Sequence, residues 1–224
     1  MPMGNGLTRN CGRRRGGSFP GASLVREAGQ RRRRALSAAD TDSMMRIMTT
    51  NLPPASPTAV RLTRYTRTEL SEIVGDDDDP FGVSDAGLTW LPKQKHFGIR
   101  LDGRLVAHTG LLPVPLSVGS VETQAVGFGG VVVAPDLRGH GLARLVVTYA
   151  LEHARTMGPQ FGILFCRPHL VPLYQRLGWR TLEGDVHVEQ ADGPVVMPLR
   201  TMWTPLREGA QWPVGPVRLL SFPM

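Results

Sequence analysis

Cysteine is almost missing from this 224-residue chain, which carries only Cys11 and Cys166. Two isolated cysteines build neither a disulfide framework nor a Cys/His metal site, so no metal is expected. Long apolar runs are missing as well. No stretch approaches the roughly 18 consecutive apolar residues that a membrane span needs. No apolar stretch of about 7–15 residues follows the arginine-rich start, as a secretory signal would require. The expected setting is the cytoplasm, with no membrane partner.

Aromatic residues are few, at 6%, and no aromatic-basic motif of the kind that binds nucleic acid is present. The formal charge of +7 is carried by the first 46 residues, where ten arginines face Glu27, Asp40 and Asp42. The rest of the chain balances 16 basic against 16 acidic side chains. Attraction to nucleic acid would therefore belong to this segment and not to the folded body. With its Gly, Ser and Ala and few large hydrophobes, the segment cannot offset its ordering entropy and is expected to be disordered. It reads as an inert extension translated from upstream of a start at Met44, Met45 or Met48. The proline-rich NLPPASPT ends it, so residues 1–58 are read as extension and linker and 59–224 as one domain. With 41% hydrophobic residues the chain can bury one full core.

What is present alternates in period. Thr66 and Glu69 form a capping box ahead of Leu70, Ile73 and Val74, so a short helix is expected. Asp102-Gly103 and Gly119-Ser120 are turns between apolar runs, which gives an antiparallel meander ending in VETQAVGFGGVVV. Beyond Val133 the period lengthens to helical spacing. Leu142, Leu145, Val146, Tyr149 and His153 are predicted to share one buried face. FGILFC reads as a buried strand, reached by a right-handed parallel crossover. A short helix in PHLVPLYQRLGW follows, and Asp192-Gly193 closes a last hairpin. The fold class is α+β with a single mixed sheet.

The junction VVVAPDLRGHGLARL carries the chemistry. A strand feeding a helix through small residues leaves the first helical N–H groups without partners, and the helix dipole adds positive potential there. Such a junction is an anion cradle suited to a pyrophosphate. With Gly139 and Gly141 alone, it matches neither the Gly-Lys-Ser/Thr phosphate loop nor the three-glycine dinucleotide fingerprint.

Arg138, Gly141 and Ala143 resemble the Gln/Arg-x-x-Gly-x-Gly/Ala signature of the GNAT superfamily of acetyl-CoA-dependent N-acyltransferases, and LYQRLGWR resembles its second signature. The resemblance implies a GNAT-like sheet in which the backbone of Val131, Val132 and Val133 pairs with the pantetheine arm of acetyl-CoA, the co-substrate. It implies that Arg138, Gly139, His140, Gly141, Leu142 and Ala143 hold the pyrophosphate through main-chain N–H groups, while His140 itself faces solvent. An N–H near Val131 or Val132 would stabilise the oxyanion, and Tyr174 would protonate the departing thiolate. A phenol of pKa about 10 can supply that proton.

The layout most resembles the aminoglycoside 2'-N-acetyltransferases. In those enzymes a Glu precedes the cofactor-pairing residues, where this chain has Gly129. Glu122 and His108 are the substitute candidates for general base. By the same resemblance Asp79 and Asp192 would contact substrate amines, and the late QWPVGPVRLLSFPM would line the acceptor pocket. The four tryptophans are expected to pack rather than bind cofactor. The leading expectation is acetyl transfer to a primary amine of a small polyamine such as an aminoglycoside. The alternatives are a longer acyl donor or a protein amine, and a non-catalytic domain that senses coenzyme A. Late apolar strands make a homodimer an expectation.

Overall fold

The computed structural model describes residues 56–224, so the expected disordered extension lies outside the described residues. Strand β1 (Thr58–Leu62) and helix α1 (Arg67–Val74) lead into the meander β2 (Lys95–Leu101), β3 (Arg104–Val118) and β4 (Val121–Val133). Helix α2 (Leu142–Ala154) crosses to β5 (Phe161–Cys166), and α3 (Val171–Gln175) follows. Short strands β6 (Arg180–Thr181), β7 (Val186–Val188), β8 (Val195–Val196), β9 (Arg200–Pro205) and β10 (Val217–Leu219) complete one mixed sheet.

Local chemistry explains the early elements. Thr66 caps α1 through the expected box, and its amide donates to the Glu69 carboxylate at 2.8 Å. Asp102 and Gly103 both take positive φ, 52° and 81°, the geometry of the tight hairpin turn that joins β2 to β3. β4 runs parallel to β5 and antiparallel to β3, so the crossover through α2 falls where the change of period places it.

Three expectations change. Thr58, assigned to the linker, begins β1, which pairs with β2 from Thr58↔Arg100 to Leu62↔His96. The buried stripe of α2 is Leu142, Val146, Val147, Ala150, Leu151 and Ala154, whereas Leu145 is 37% exposed and Tyr149 and His153 are half-buried. The smaller Val147, Ala150 and Ala154 let the helix approach the sheet closely, which a stripe chosen by side-chain size misses. Finally, β10 inserts between β3 and β7, so the last residues form part of the sheet.

β3 is long enough for its outer edge to serve two partners, β2 along Arg104–Leu111 and β10 along Leu116–Val118. Where one leaves and the other arrives, residues 91–94 cross the fork: the Leu91 amide donates to Pro223 at 2.6 Å and that of Gln94 to Leu111 at 3.0 Å. One hydrophobic cluster packs α2 and Phe97, Phe128 and Trp179 on one side of the sheet; a second joins Leu116, Phe161, Ile163 and Trp203.

Candidate active site

β4 and β5 are paired only from Ala125↔Phe161 to Phe128↔Leu164. Beyond that point β4 runs on to Val133 without β5 beside it. The register against β3 slips between His108 and Gly110, a bulge in which Gly130 adopts φ 61° and bends β4 away from its neighbour. The notch opens into a cavity of about 420 Å³ whose lining includes Val131, Leu164, Cys166 and Tyr174. The loop of Arg138 to Gly141, which follows β4 and opens α2, does not itself line the cavity. Gly139 and Gly141 hold φ 84° and 80°, and among the described residues the amides of Gly139, Gly141, Leu142 and Ala143 donate to no protein group. Arg138 turns its side chain back to the Val133 carbonyl at 3.3 Å, and His140 is exposed, so the loop offers backbone rather than side chains.

Tyr174 is 5% exposed and faces the cavity. Burial first, and then the neighbouring Cys166, push its phenol well above the ordinary value, so it carries its proton throughout the physiological range. The Leu-Gly-Trp sequence after it has a mechanical role. Gly178 takes φ 85°, its amide donates to Gln175 at 3.0 Å and that of Trp179 to the Tyr174 carbonyl at 3.1 Å. This double closure ends the helix and folds Trp179 back against Tyr174 and Phe128. Cys166 also lines the cavity, but burial lifts its thiol to about 11, which keeps it from acting as a nucleophile.

The sequence-predicted residues divide. Val131, Tyr174 and His108 meet at the cavity. Glu122 stands on the exposed start of β4, opposite Ser117, away from the lining. Asp79 directs its carboxylate into its own loop, accepting from the Val83 and Ser84 amides at 3.0 Å and the Ser84 hydroxyl at 2.7 Å. Asp192 is exposed on the β7–β8 turn and does not line the cavity. His108 is 1% exposed rather than solvated, its ring stacked 3.5 Å from Tyr65. Its Nδ1 donates to the Gly130 carbonyl at 2.8 Å, and its Nε2 lies 3.1 Å from Nδ1 of His96. Burial lowers its pKa to about 3, so at neutral pH the ring is uncharged and both its nitrogens are engaged.

Sequence reasoning missed Lys93, His96, Arg167 and the aromatic wall. Trp90, expected only to pack, lines the cavity with Phe81 and Phe165. Arg167 holds the Gly82 carbonyl at 2.8 Å and forms an ion pair with Asp85, fastening the loop that carries Phe81 and Val83. Met224 closes another side and is the one residue of the late segment QWPVGPVRLLSFPM in the lining. No single residue type announces these positions; they meet through strand register.

A curled mixed sheet whose two central strands part ahead of a helix with unpartnered amides at its start is the frame of an acyl-CoA-dependent acetyltransferase. The model of the acetyltransferase (GNAT) domain matches residues 59–182, and the chain belongs to that family. An uncharacterized N-acetyltransferase of Escherichia coli, YjgM, is 26% identical over 151 residues, covering 59% of this chain and 87% of its own. The structure of E. coli YhbS, a GNAT family N-acetyltransferase solved with CoA, superposes with a TM-score of 0.50 at 17% identity, covering 75% of this chain and 92% of that one. At that identity the likeness is one of fold. Among the described residues no helix is long and apolar enough to cross a membrane, and no cluster of His, Cys, Asp and Glu could hold a metal ion.

Proposed function

We propose that the cavity is the acyl-transfer site and that its acceptor is a primary amine of a small molecule. The observation that supports this most is the parting of β4 from β5, which leaves residues 129–133 paired with β3 on one edge and with no strand on the other, where Gly129, Gly130 and Val131 line the cavity. Val131, Val132 and Val133 pair with the pantetheine arm, and the amides of Gly139, Gly141, Leu142 and Ala143 receive the pyrophosphate, whereas that of Arg138 is already given to the Pro135 carbonyl. Acetyl-CoA supplies an activated thioester. A main-chain N–H at Val131 or Val132 polarises its carbonyl, a contribution of about 3–4 kcal/mol where one such donor has been removed elsewhere. Tyr174 donates its proton to the leaving sulfur.

The base is best assigned to His96. His108 gives its Nδ1 hydrogen to Gly130, so the hydrogen between the two rings belongs to His96. Neutral His96 therefore keeps a lone pair at Nε2, and burial lowers its pKa, which keeps it neutral. Glu122 is too distant along β4 to share this role directly.

The lining includes no Asp or Glu. A polycation such as an aminoglycoside would bring several charges into a cavity whose side chains offer no carboxylate, so the walls do not favour that acceptor. Thiol release from acetyl-CoA, screened across small primary amines, tests the assignment. Turnover that requires Tyr174 is the expected result; purified protein that does not retain CoA would overturn it.

A further inference from the structure

Lys93 carries the one primary amine among the side chains that line the cavity, and the fold holds it there. Gly110 on β3 and Gly129 on β4 are directly opposite in register. A Cβ on Gly110 would stand 2.5 Å from Cγ of Lys93, and one on Gly129 would stand 2.5 Å from its Cε and 3.0 Å from its Nζ. Two facing glycines thus leave a channel across the sheet, which the lysine stem fills. Its Nζ emerges beside Gly129, two residues before Val131 on the edge of β4 that β5 has left. The main-chain oxygen of Met224 borders the same position, 3.1 Å from the Gly129 Cβ site.

The amine stands among groups that acyl transfer uses. The pKa of His96 is lowered by burial and further by the Lys93 charge, and that of His108 by burial, by His96 and by Lys93, so the amine is near both rings. Nζ donates to the Leu91 carbonyl at 3.4 Å, a long contact that holds it weakly. Burial lowers the amine's own pKa to about 8, which leaves a share of it neutral and nucleophilic near neutral pH. The rest of the chain is poor in such groups. Lys93 and Lys95 are the only lysines among 26 basic residues, and a guanidinium stays charged and is no acyl acceptor at physiological pH.

We infer that Lys93 is a modification site: the protein transfers an acetyl group to its own Lys93 when no amine substrate occupies the cavity. This rests on the acyl-transfer reading of the cavity. The lone pair of neutral Nζ bonds to the acetyl carbonyl carbon, the C–S bond breaks, and Tyr174 protonates the departing sulfur. Nε2 of His96 takes the proton shed by the nitrogen, and solvent carries it back to Tyr174. Lysine and acetyl-CoA thus become Nε-acetyl-lysine and CoA with no further reactant. The product exchanges a desolvated charge for a neutral amide, which the apolar lining favours, and leaves an acetamide on the acceptor side.

Incubating the full chain with trideuteroacetyl-CoA and no amine tests this, with peptide mass spectrometry following Lys93 and Lys95 from the material as purified onward. Lys95 does not line the cavity and is the internal reference. Lys93 is expected to gain the label at least about 10-fold faster than Lys95, at a rate independent of protein concentration, as a held amine should. About one CoA per chain is released with it, a burst lost in Lys93→Met and kept in Lys95→Arg. Tyr174→Phe should slow the labelling of Lys93 by the factor by which it slows thiol release with added amines, and leave Lys95 unaffected. Lys93 found acetylated on purification of the unaltered chain but free in Tyr174→Phe supports the inference equally. Labelling of Lys93 no faster than that of Lys95, labelling that accelerates with protein concentration, or acetylation that Tyr174→Phe leaves unchanged overturns it. Thiol release with added amines from a chain whose Lys93 stays free overturns the inference alone, whereas failure to retain CoA overturns the acyl-transfer reading with it.

Discussion

Nδ1 of His96 and Nε2 of His108 lie 3.1 Å apart, and the Gly130 carbonyl on the far side of His108 decides which ring owns the hydrogen between them. A carbonyl can only accept, so His108 spends its one hydrogen on the bulge and takes the other from His96. The buried ring thereby pins the strand irregularity that opens the notch, while the half-buried ring faces the cavity.

This arrangement predicts an acid-sensitive fold. His108 has a pKa of about 3 when folded, against an ordinary value near 6.5. Between those values the unfolded chain binds a proton that the folded chain refuses, so stability falls as pH drops through that window and levels off above it. Chemical denaturation across pH 4–7 should show this slope, and His108→Gln should flatten it. In NMR titrations the His108 ring should not move between about pH 5 and 8.

Tyr174→Phe should bind CoA as the unaltered protein does but release thiol about 10²- to 10⁴-fold more slowly, the range for loss of a positioned acid. Single-turnover kinetics with direct CoA titration checks this. Unchanged turnover would remove the phenol from the mechanism.

Gly129→Ala should destabilise the fold by about 1–3 kcal/mol, because its methyl group meets the Lys93 stem. The same change in a Lys93→Ala background should cost less, since the stem at 2.5 Å is gone and only the Met224 oxygen at 3.1 Å remains close. Denaturant unfolding of the four proteins in a double-mutant cycle measures the coupling, and strict additivity would show that the stem does not occupy the channel.

Gly141→Ala places a Cβ on a residue at φ 80° with open space around it, so only backbone strain opposes the change. A cost of about 1 kcal/mol in stability follows. If the loop opens to relieve that strain, CoA affinity drops with it; titration of CoA into both proteins reads the effect.

Lys93→Met should raise stability at neutral pH by about 1–3 kcal/mol, because it exchanges a desolvated charge for an apolar side chain of similar shape. Burial lowers the Lys93 pKa to about 8 from an ordinary 10.5. The folded protein loses that proton before the unfolded chain does, so its stability rises between those values as pH increases. Thermal unfolding at pH 7 and pH 10 should show the gap between the two proteins narrowing.

Features set by neighbours in sequence were legible before any coordinates. The Thr66 capping box, the Asp102-Gly103 turn and the helix opening after Gly141 all depend on contacts within a few residues, so their residue types and spacing suffice. The face of α2 was misjudged at Leu145 because small alanines at Ala150 and Ala154 carry little weight in a hydrophobic pattern, although they are what permits close packing.

What the sequence by itself determined is therefore the alternation of strand and helix and the amide-rich junction that suits a pyrophosphate. The tertiary structure alone decided the acceptor side. Whether Gly129 faces Gly110, whether Lys93 reaches across both, and whether Asp79 points into the cavity or into its own loop depend on strand register and on where the β3 edge changes partners. A slip of one residue between β3 and β4 would part Gly110 from Gly129 and turn their strand neighbours to the opposite face of the sheet, and no local pattern of residues records which register the packed core selects.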